Sequence, residues 1–469
     1  MLARTSIDAG MSATEEIADF IVATGYDRLP QEAVDNAKAA VLDCLGCALA
    51  GSSESAVRIV TRYVRDMGSN QEAGVIVAGF QTSAPYAALA NGTMAHALDF
   101  DDVAVSWVGH PTSVVLPAAL ALGQRQRLSG KKVILAYILG LEIEAKLGGC
   151  VGSAHYDWGW HATATVGAMG AAAAGAKLLG LDARQTRMAL GIAVSLAGGT
   201  RQNFGTMTKA FHAGSAARNG VEAALLAQQG FTAAESIIES PMGFCHLFSG
   251  GGSYDSRHAS QGLGDPFDVV SPGLSLKPYP CCRFTHRCID ATLYLKKKYG
   301  LTADNVAEVQ CFTAASLPQI LIYSEPKNGL EGKFSMQYCL AAALLDGQVT
   351  LASFSDDRVR EAKAQELLRR VKYVFTSNAT GAEALAAPEM VTIRLRDGRK
   401  LSHEVLVPRG DPRNPMTEEE RVAKYEDCAG VVLSTEAIKK SRDMVLYLDE
   451  IEDISELMGL LCFTRKGVV

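Results

Sequence analysis

Acidic and imidazole side chains are concentrated in one short stretch of the sequence, residues 91–117. The stretch contains three carboxylates and two histidines, namely Asp99, Asp101, Asp102, His96 and His110. Proton transfer requires a base and an acid with pKa values near the working pH, and histidine meets this need without large tuning. The same residues would also fit a solvated loop between two helices, in which aspartates cap the helix ends. The stretch is therefore either an acid–base site or a capping loop.

The stretch resembles the signature of the MmgE/PrpD family, which reads NG-x-x-x-H-x-x-D-[FY]-D-D followed by HP. Four more segments resemble the same family in the same order: GWHAT (159–163), FGTMTKAFHAGSAARNG (204–220), LKPYPCC (276–282) and LEGKFSMQYCLAAALLDG (330–347). The similarity extends from about Glu15 to Cys428. The family includes 2-methylcitrate dehydratase, cis-aconitate decarboxylase and iminodisuccinate epimerase. The resemblance therefore implies a lyase or an isomerase and leaves the reaction open.

Hydrophobic periodicity predicts helices along most of the first 230 residues. They are expected at about 84–98, 113–128, 130–148, 162–179, 183–198 and 214–229. Beyond Pro272 the pattern changes, with an alternating strand at Val306 to Thr313 and a hairpin around Asp397-Gly398. Between them, apolar helices are expected near 335–346 and 357–369. Helical patterns return in the C-terminal tail.

The predicted fold is mostly α. As the resemblance implies, a large all-α helical domain is formed by the N- and C-terminal segments, and a smaller α+β lid domain is inserted between them. The boundaries are expected at residues 12–270 for the first helical segment, 271–407 for the lid and 408–462 for the second helical segment.

The composition of the 469 residues, 48% hydrophobic and 20% charged, is typical of a soluble globular protein. The net charge of -6 and the scattered Lys and Arg argue against nucleic-acid binding, which needs clustered positive charge. The apolar part of the Ala-rich helix near 162–179 is shorter than the ~20 residues of a membrane span. The N-terminus has no apolar signal region. We therefore expect a cytoplasmic protein with neither nucleic-acid nor membrane partners.

The eleven cysteines are odd in number and have no disulfide-framework spacing. Free thiols in a reducing cytoplasm are therefore expected. Cys44 and Cys47 have redox-motif spacing but lie within an apolar helical pattern, which favours a structural role.

The resemblance implies catalysis on a small di- or tricarboxylate without cofactor or metal, and it implies a homodimer. The chemistry is proton removal next to a carboxylate, followed by loss of water or CO2 or by reprotonation on the other face. Cations must hold the substrate carboxylates, and a base and an acid must stand at the reacting carbon.

The family motifs carry these roles onto particular residues. Asp99 is expected to orient a histidine or to accept a substrate hydrogen bond, and His110 is the first candidate for acid–base work. His161 opens the Ala-rich helix, where the positive end of the dipole keeps an imidazole neutral and suited to be a base. Alternatively, Asp99 is a helix cap and His161 is an N-terminal residue exposed to water.

The other polar residues of these motifs are expected to support or to bind. Asp101 and Asp102 are expected to hold backbone N–H groups of the loop, and His96 to be packed and hydrogen-bonded. The candidates for substrate binding, matched to the family or supplying a cation, are Lys209, Lys277, Arg283, Tyr323 and His212.

Some positions depart from the decarboxylase pattern. Val103 stands where the decarboxylase has a Thr, one extra residue precedes His110, and Cys282 stands where it has a histidine. The run YPCC-x3-His is more similar to the epimerase branch. A thiol carries protons well when cations lower its pKa, and Arg283 or His286 could do so at Cys282. Cys282 is thus a fourth catalytic candidate; the alternative is a buried apolar residue.

Two other classes of function remain open. A metal-dependent hydrolase would use the HxxDxDD cluster as ligands, with His96, Asp99, Asp101 and Asp102 around the ion. A non-catalytic helical interaction protein would lose partner binding or stability, and no activity, when Lys209 or His161 is replaced.

Overall fold

The computed structural model describes residues 11–251 and 254–463. The helices are α1 Ala13–Ala23, α2 Gln31–Gly51, α3 Ser55–Met67, α4 Ala84–His96, α5 Thr112–Arg125, α6 Gly130–Asp157, α7 Ala162–Leu178, α8 Ala183–Leu196, α9 Met207–Gln228, α10 Phe244–Phe248, α11 His286–Tyr299, α12 Gly329–Gly332, α13 Met336–Asp346, α14 Asp356–Arg360, α15 Ala362–Leu368, α16 Gly381–Ala386, α17 Glu418–Ala429, α18 Thr435–Leu446 and α19 Ser455–Leu461. The strands are β1 Ala73–Gly74, β2 Gln81–Thr82, β3 Val103–Ala104, β4 Leu274–Ser275, β5 Val306–Ala314, β6 Val371–Ser377, β7 Glu389–Leu395 and β8 Lys400–Val405. The protein is mostly α, as predicted.

Small residues let the central helices α4, α7 and α9 pack at close range. A Cβ at Gly92 would lie 2.9 Å from the Cα of Gly214, and one at Gly220 would lie 2.3 Å from the Cβ of Ala171. The Ala- and Gly-rich sequence of α7 is buried along almost its full length. This close packing brings together the C-terminal end of α4 and the N-terminal ends of α7 and α9, where the family motifs lie.

The second half of the chain builds a four-stranded sheet in the order β6-β5-β7-β8. The predicted strand β5 and the hairpin β7-β8 are confirmed, with Glu389 opposite Val405. The prediction of one helix over 357–369 is wrong: it breaks at Glu361 into α14 and α15. Strand β6, which pairs parallel to β5, was not predicted. Its residues Val371 to Ser377 are mostly half-buried or exposed, so they lack the apolar alternation of a core-facing strand.

The C-terminal helices return to the first half of the chain. A Cβ at Gly46 of α2 would lie 3.3 Å from the ring of Tyr425 on α17, and Val445 and Leu457 share one hydrophobic core with α2 and α5. The sheet and the helices around it form a separate hydrophobic core. The division into a helical domain and an inserted lid domain stays a prediction.

The expectation that all cysteines are free is wrong. Cys150 on α6 and Cys245 on α10 form a disulfide, with Cα atoms 6.4 Å apart. The two residues are 95 positions apart in sequence, so only the packing of α10 against α6 could reveal their proximity. Cys44 and Cys47 are buried free thiols within α2.

Among the described residues, no single helix is long and apolar enough to cross a membrane. Helices α2 and α3 reach the length and composition of a span only as a pair, and they meet at a bend of 88°.

Candidate active site

The Asp-rich loop (residues 97–111) connects α4 to α5 and starts where α4 ends at His96. Asp99 has a φ of 52°, a left-handed conformation that aspartate tolerates better than most side chains. The loop then forms β3, which pairs antiparallel with β4. This pairing holds the loop against the segment that carries Lys277 and Cys282.

Asp99 lies at the centre of a buried polar cluster. Its Oδ1 accepts hydrogen bonds from the ammonium groups of Lys277 at 2.8 Å and Lys209 at 3.1 Å, and Nε2 of His110 lies 3.5 Å away. Burial would raise the pKa of Asp99, but the two lysines outweigh it and hold that pKa well below its usual range. Its Oδ2 is buried and accepts no hydrogen bond from any described residue. Asp99 is therefore an ionised carboxylate, and one of its oxygens is buried without a hydrogen-bond partner among the described residues.

His96 lies between Asp101 and Lys209 and forms hydrogen bonds with both. Its Nδ1 lies 2.8 and 3.0 Å from the two oxygens of Asp101, so Nδ1 carries the proton and donates. Its Nε2 is then a lone pair, which accepts from Lys209 Nζ at 2.7 Å. Burial lowers the pKa of His96 although Asp101 opposes this effect. The expected packed, hydrogen-bonded histidine is thus found, and it also orients the ammonium of Lys209.

His110 stands beside this chain of hydrogen bonds. Its backbone N–H donates to Oγ1 of Thr163 at 3.0 Å, and its ring centroid lies 4.4 Å from that of His96. Its Nδ1 is 3.3 Å from Oδ2 of Asp101 but outside hydrogen-bond geometry. Burial lowers the pKa of His110 to about 3, against the opposing effect of Asp101. The imidazole is therefore neutral at physiological pH.

His161 occupies the N-cap position of α7, without a side-chain capping hydrogen bond, and is buried rather than exposed to water. Its Nδ1 lies 3.0 Å from Nδ1 of His212, so one ring donates and the other accepts. When His161 is the donor, its Nε2 is a free base. Burial and the charge of Lys209 hold the pKa of His161 well below its usual range, and burial lowers that of His212 to about 4. The tautomers of His161 and His212 are therefore coupled, because only one of the two Nδ1 atoms can carry the shared proton.

Two adjoining cavities meet at this cluster. The outer cavity has a volume of about 300 Å³, which is at the lower end for ligand pockets, and its rim is exposed at Ser55, Thr206 and Met207. The inner chamber measures about 30 Å³, room for about one water. Residues that line both are Asp99, Lys209 and Phe334. The outer cavity is lined further by His96 and Lys333, and the inner chamber by His110, His161, Cys282, Arg283, Val103, Tyr156, Thr163 and Phe204.

The protonation of Cys282 differs from the expectation. The pKa of this thiol is raised to about 12, chiefly by burial and also by the charge of Asp99, and Lys277 and Lys209 oppose the rise only in part. Arg283 does not act on it, because its guanidinium donates to Ser275 at 2.9 Å and contacts Asp411 at 3.4 Å. Cys282 is therefore a neutral thiol, a proton donor rather than a thiolate base.

Of the expected substrate-binding residues, Lys209 lines both cavities and Arg283 lines the inner chamber. Lys277 is fully buried behind Asp99. Its ammonium donates hydrogen bonds to the backbone carbonyl oxygen of Asp99, at 2.7 Å, and to the Asp99 carboxylate. Tyr323 donates to the carbonyl oxygen of Phe204 at 3.2 Å and packs over Gly205, so it supports the turn before α9. Direct contact of Lys277, Arg283, Tyr323 or His212 with a substrate stays a prediction.

Of Asp101 and Asp102, which were both expected to hold backbone N–H groups of the loop, only Asp102 does so. Asp102 accepts from the backbone N–H of Thr112 at 3.3 Å and from its hydroxyl, as expected. Asp101 instead binds His96, and His110 lies near it. Burial raises the pKa of Asp102 to about 8, whereas the neighbouring histidines outweigh burial at Asp101 and hold its pKa well below its usual range. Asp101 therefore binds a histidine of the site, and Asp102 fixes the backbone at the end of the loop.

The side chains that could coordinate a metal ion are not the four expected from sequence. The ligand atoms of His96, Asp99, Asp101 and His110 lie within 4.8 Å of one another, and Asp102 is not part of this group. However, Oδ1 of Asp99 and Nε2 of His96 already accept hydrogen bonds from ammonium groups. A metal ion would have to displace Lys209 and would be repelled by it, so the donor set fits an anionic substrate better than a cation.

Sequence reasoning missed three residues of this region. Lys333 lines the outer cavity and donates to the carbonyl oxygens of Leu98 and, at 3.2 Å, Pro280. Phe204 and Phe334, with ring centroids 5.5 Å apart, form an aromatic wall beside Lys209. Lys333 and Phe334 lie within the family-like segment LEGKFSMQ, so that segment was the available signal.

Comparison with known proteins agrees with the motifs. The MmgE/PrpD N-terminal domain matches residues 15–257, and the MmgE/PrpD C-terminal domain matches residues 279–450. The chain is 32% identical to cis-aconitate decarboxylase of Aspergillus terreus (strain NIH 2624 / FGSC A1156) over 98% of both chains, and 30% identical to that of Mus musculus over 96% of this chain and 93% of the relative. It is 26% identical to 2-methylcitrate dehydratase of Escherichia coli (strain K12) over 83% and 84%. The chain is therefore an enzyme of the MmgE/PrpD family.

Proposed function

We propose that the enzyme is a carboxy-lyase that acts, without a cofactor, on a small unsaturated tricarboxylate of the cis-aconitate type. The observation that carries this proposal is the meeting of an Asp99 carboxylate oxygen without a hydrogen-bond partner among the described residues, the ammonium of Lys209 and neutral imidazoles at one pair of cavities. The higher identity and fuller coverage of the cis-aconitate decarboxylases, compared with 2-methylcitrate dehydratase, support decarboxylation over dehydration. We also propose the inserted-lid domain arrangement, a homodimer and a cytoplasmic location.

The outer cavity is lined by the carboxylates of Asp99, Glu54 and Asp356 as well as by lysines, and the lysines are the groups that would bind a polycarboxylate. Lys209 and Lys333 are both buried and both line it, so they can hold substrate carboxylates where water screens their charge little. Oδ2 of Asp99 accepts a hydrogen bond from a protonated group or an ordered water. A tricarboxylate fits the outer cavity but not the inner chamber. Contact with His161 and Cys282 therefore requires a shift of Phe334, the aromatic residue that lines both.

The protonation states fit loss of CO2. The bond between the reacting carbon and the departing carboxylate breaks, and its electron pair passes into the adjacent double bond, toward a remaining carboxylate that Lys209 stabilises. CO2 leaves, and the carbanion takes a proton from an acid at the inner chamber. Cys282, whose thiol stays protonated at neutral pH, is such an acid, and solvent returns the proton to the sulfur.

A second candidate is epimerisation of a substituted succinate. The observation that favours it is that Cys282 and His161 line the same inner chamber, one as a protonated thiol and the other as a neutral imidazole. His161 would remove the proton from one face, and Cys282 would deliver one to the other. The bonds to carbon other than C–H stay intact in this reaction.

Proton NMR in D2O distinguishes these reactions. Wild-type enzyme and His161→Ala are incubated with 2-methylcitrate, cis-aconitate, citrate and substituted succinates including iminodisuccinate. The expected result is loss of CO2 from cis-aconitate, with one deuterium placed on the product. Exchange of a C–H for deuterium with inversion and no loss of CO2 would instead establish epimerisation. If wild type changes none of the compounds, the proposed substrate class is wrong.

Separate variants of Cys282 test its role. In a lyase that uses the thiol as acid, Cys282→Ser keeps a weaker donor and retains more activity than Cys282→Ala. Equal rates for the two variants and wild type would show that another group delivers the proton.

A further inference from the structure

Three buried lysines hold three successive carbonyl oxygens of the Asp-rich loop. The pairs, lysine first, are Lys333 with Leu98, Lys277 with Asp99 at 2.7 Å and Lys424 with Phe100 at 2.8 Å. The lysines come from segments that are far apart in sequence: one precedes α13, one follows β4 and one lies on α17. Fixed carbonyls on both sides of Asp99 leave its backbone little freedom.

The ammonium of Lys424 makes two hydrogen bonds and one ion pair within the protein. Its Nζ donates to the carbonyl oxygens of Phe100 at 2.8 Å and Lys277 at 2.9 Å, and it lies 2.6 Å from Oδ1 of Asp43. It also lies 3.8 Å from the centroid of the Phe100 ring. The residue is 7% exposed and lines neither cavity, so it has no donor to offer a substrate.

The two carbonyls that Lys424 holds belong to the two sides of the Asp99–Lys277 ion pair. Phe100 directly follows Asp99, whose left-handed φ of 52° requires support from its surroundings. Lys277 carries the ammonium that binds Asp99 at 2.8 Å. One ammonium on α17 therefore fixes the backbone of both partners and, through them, the position of Oδ2 of Asp99.

We propose that Lys424 is a positioning residue of the active site, which acts through Phe100 and Lys277 to aim the Asp99 carboxylate at the cavities. This inference rests on the proposed function only in that Asp99 is taken to contact the substrate. It assigns a catalytic consequence to the C-terminal helix α17, which contributes no side chain to either cavity.

The test compares the double variant Lys424→Met/Asp43→Asn with wild type, so that no buried carboxylate is left without its cation. Asp43→Asn alone is the first control. Lys177→Met is the second, because Lys177 also donates to two carbonyls, those of Ile21 and Val22, each at 2.9 Å, and lines neither cavity. Four quantities are measured: kcat, KM, the thermal unfolding midpoint, and hydrogen–deuterium exchange of peptides covering 96–104.

For the double variant we expect kcat to fall by about 10- to 100-fold with KM changed less than threefold, because small displacements of a catalytic group have effects of this size. Its unfolding midpoint should fall no further than that of Lys177→Met, and exchange in 96–104 should be faster. Lys177→Met should keep the wild-type kcat, and Asp43→Asn should lose less kcat than the double variant because Lys424 still donates to both carbonyls.

An unchanged kcat, or a loss explained by the fraction of unfolded protein, would overturn the proposal. Where wild type turns over no compound, exchange and the binding of citrate measured by calorimetry decide instead. Faster exchange in 96–104 of the double variant, with citrate binding within about threefold of wild type, supports positioning. Exchange in 96–104 equal to that of Lys177→Met overturns the proposal that Lys424 is a positioning residue. The absence of turnover by wild type is a separate result, and it overturns the substrate assignment.

Discussion

Replacement of Asp102 by Asn should stabilise the enzyme at neutral and alkaline pH and leave turnover intact. Asp102 is 1% exposed, and its carboxyl group contacts the backbone N–H and hydroxyl of Thr112. Burial raises its pKa from 3.8 to about 8; the bonds from Thr112 oppose this rise, and the nearby charges of Asp101 and Asp43 add to it. The folded state therefore keeps a proton that the unfolded state loses. Asn reproduces the shape of the protonated group and cannot ionise.

The sign and size of the effect follow from this difference in pKa. The contribution of the Asp102 proton to the free energy of unfolding is fully present below about pH 3.8. It decreases as pH rises and is lost above about pH 8. The slope within this window is about 1.4 kcal/mol per pH unit. From pH 5 to pH 7, the free energy of unfolding of wild type should thus lose about 3 kcal/mol relative to Asp102→Asn.

Urea unfolding followed by tryptophan fluorescence at pH 5, 6, 7, 8 and 9 measures this difference. Asp427→Asn, at an exposed position on α17, is the matched control. Its free energy of unfolding should not change relative to wild type by about 3 kcal/mol between pH 5 and pH 7. Asp99→Asn is the catalytic contrast, since it removes the charge that Lys209 and Lys277 bind and should abolish turnover. A pH-independent difference for Asp102→Asn would refute the burial argument. Loss of turnover in Asp102→Asn would refute the conclusion that Asp102 has no role in catalysis.

Three further predictions concern the site. Lys209→Met should lower kcat/KM by about 100- to 1,000-fold, as expected for the loss of a cation that stabilises developing charge, while Lys177→Met should not; equal effects would contradict the role of Lys209. Because the pKa of His110 is lowered to about 3, kcat, corrected for ionisation of the substrate, should stay level between pH 7 and 5; a steep fall near pH 6 would show that a histidine with an ordinary pKa is required. Treatment with EDTA should leave activity unchanged because ammonium groups already bind Asp99; inhibition reversed by a divalent metal would favour the metal-dependent alternative.

Motif spacing was a good guide to which residues meet. Asp99, Lys209, His110, His161 and Cys282 all line the inner chamber, although they come from four separate segments. Each segment carried its own local signal, such as a helix start at His161. The structure brings the segments together through the close packing of α4, α7 and α9.

The sequence did not reveal where the charged groups of the site point. Arg283 was expected to lower the pKa of Cys282, yet its guanidinium faces Ser275 and Asp411, and burial raises that pKa instead. Lys424 gave no signal at all, because its partners lie 324 and 147 positions away in the chain. Orientation and desolvation depend on neighbours that are distant in sequence, so local patterns cannot report them.

By itself, the sequence determined the family, the mostly α class, and the candidate acid–base residues that meet at the inner chamber, because these depend on local periodicity and on motifs that are contiguous in the chain. The tertiary structure alone decided the disulfide between Cys150 and Cys245, strand β6, the opposite pKa shifts of Asp99 and Asp102, and the lysines around the Asp-rich loop. Two aspartates three positions apart differ in charge because one meets two ammonium groups and the other meets a hydroxyl in a buried site. That difference arises only when the chain has folded.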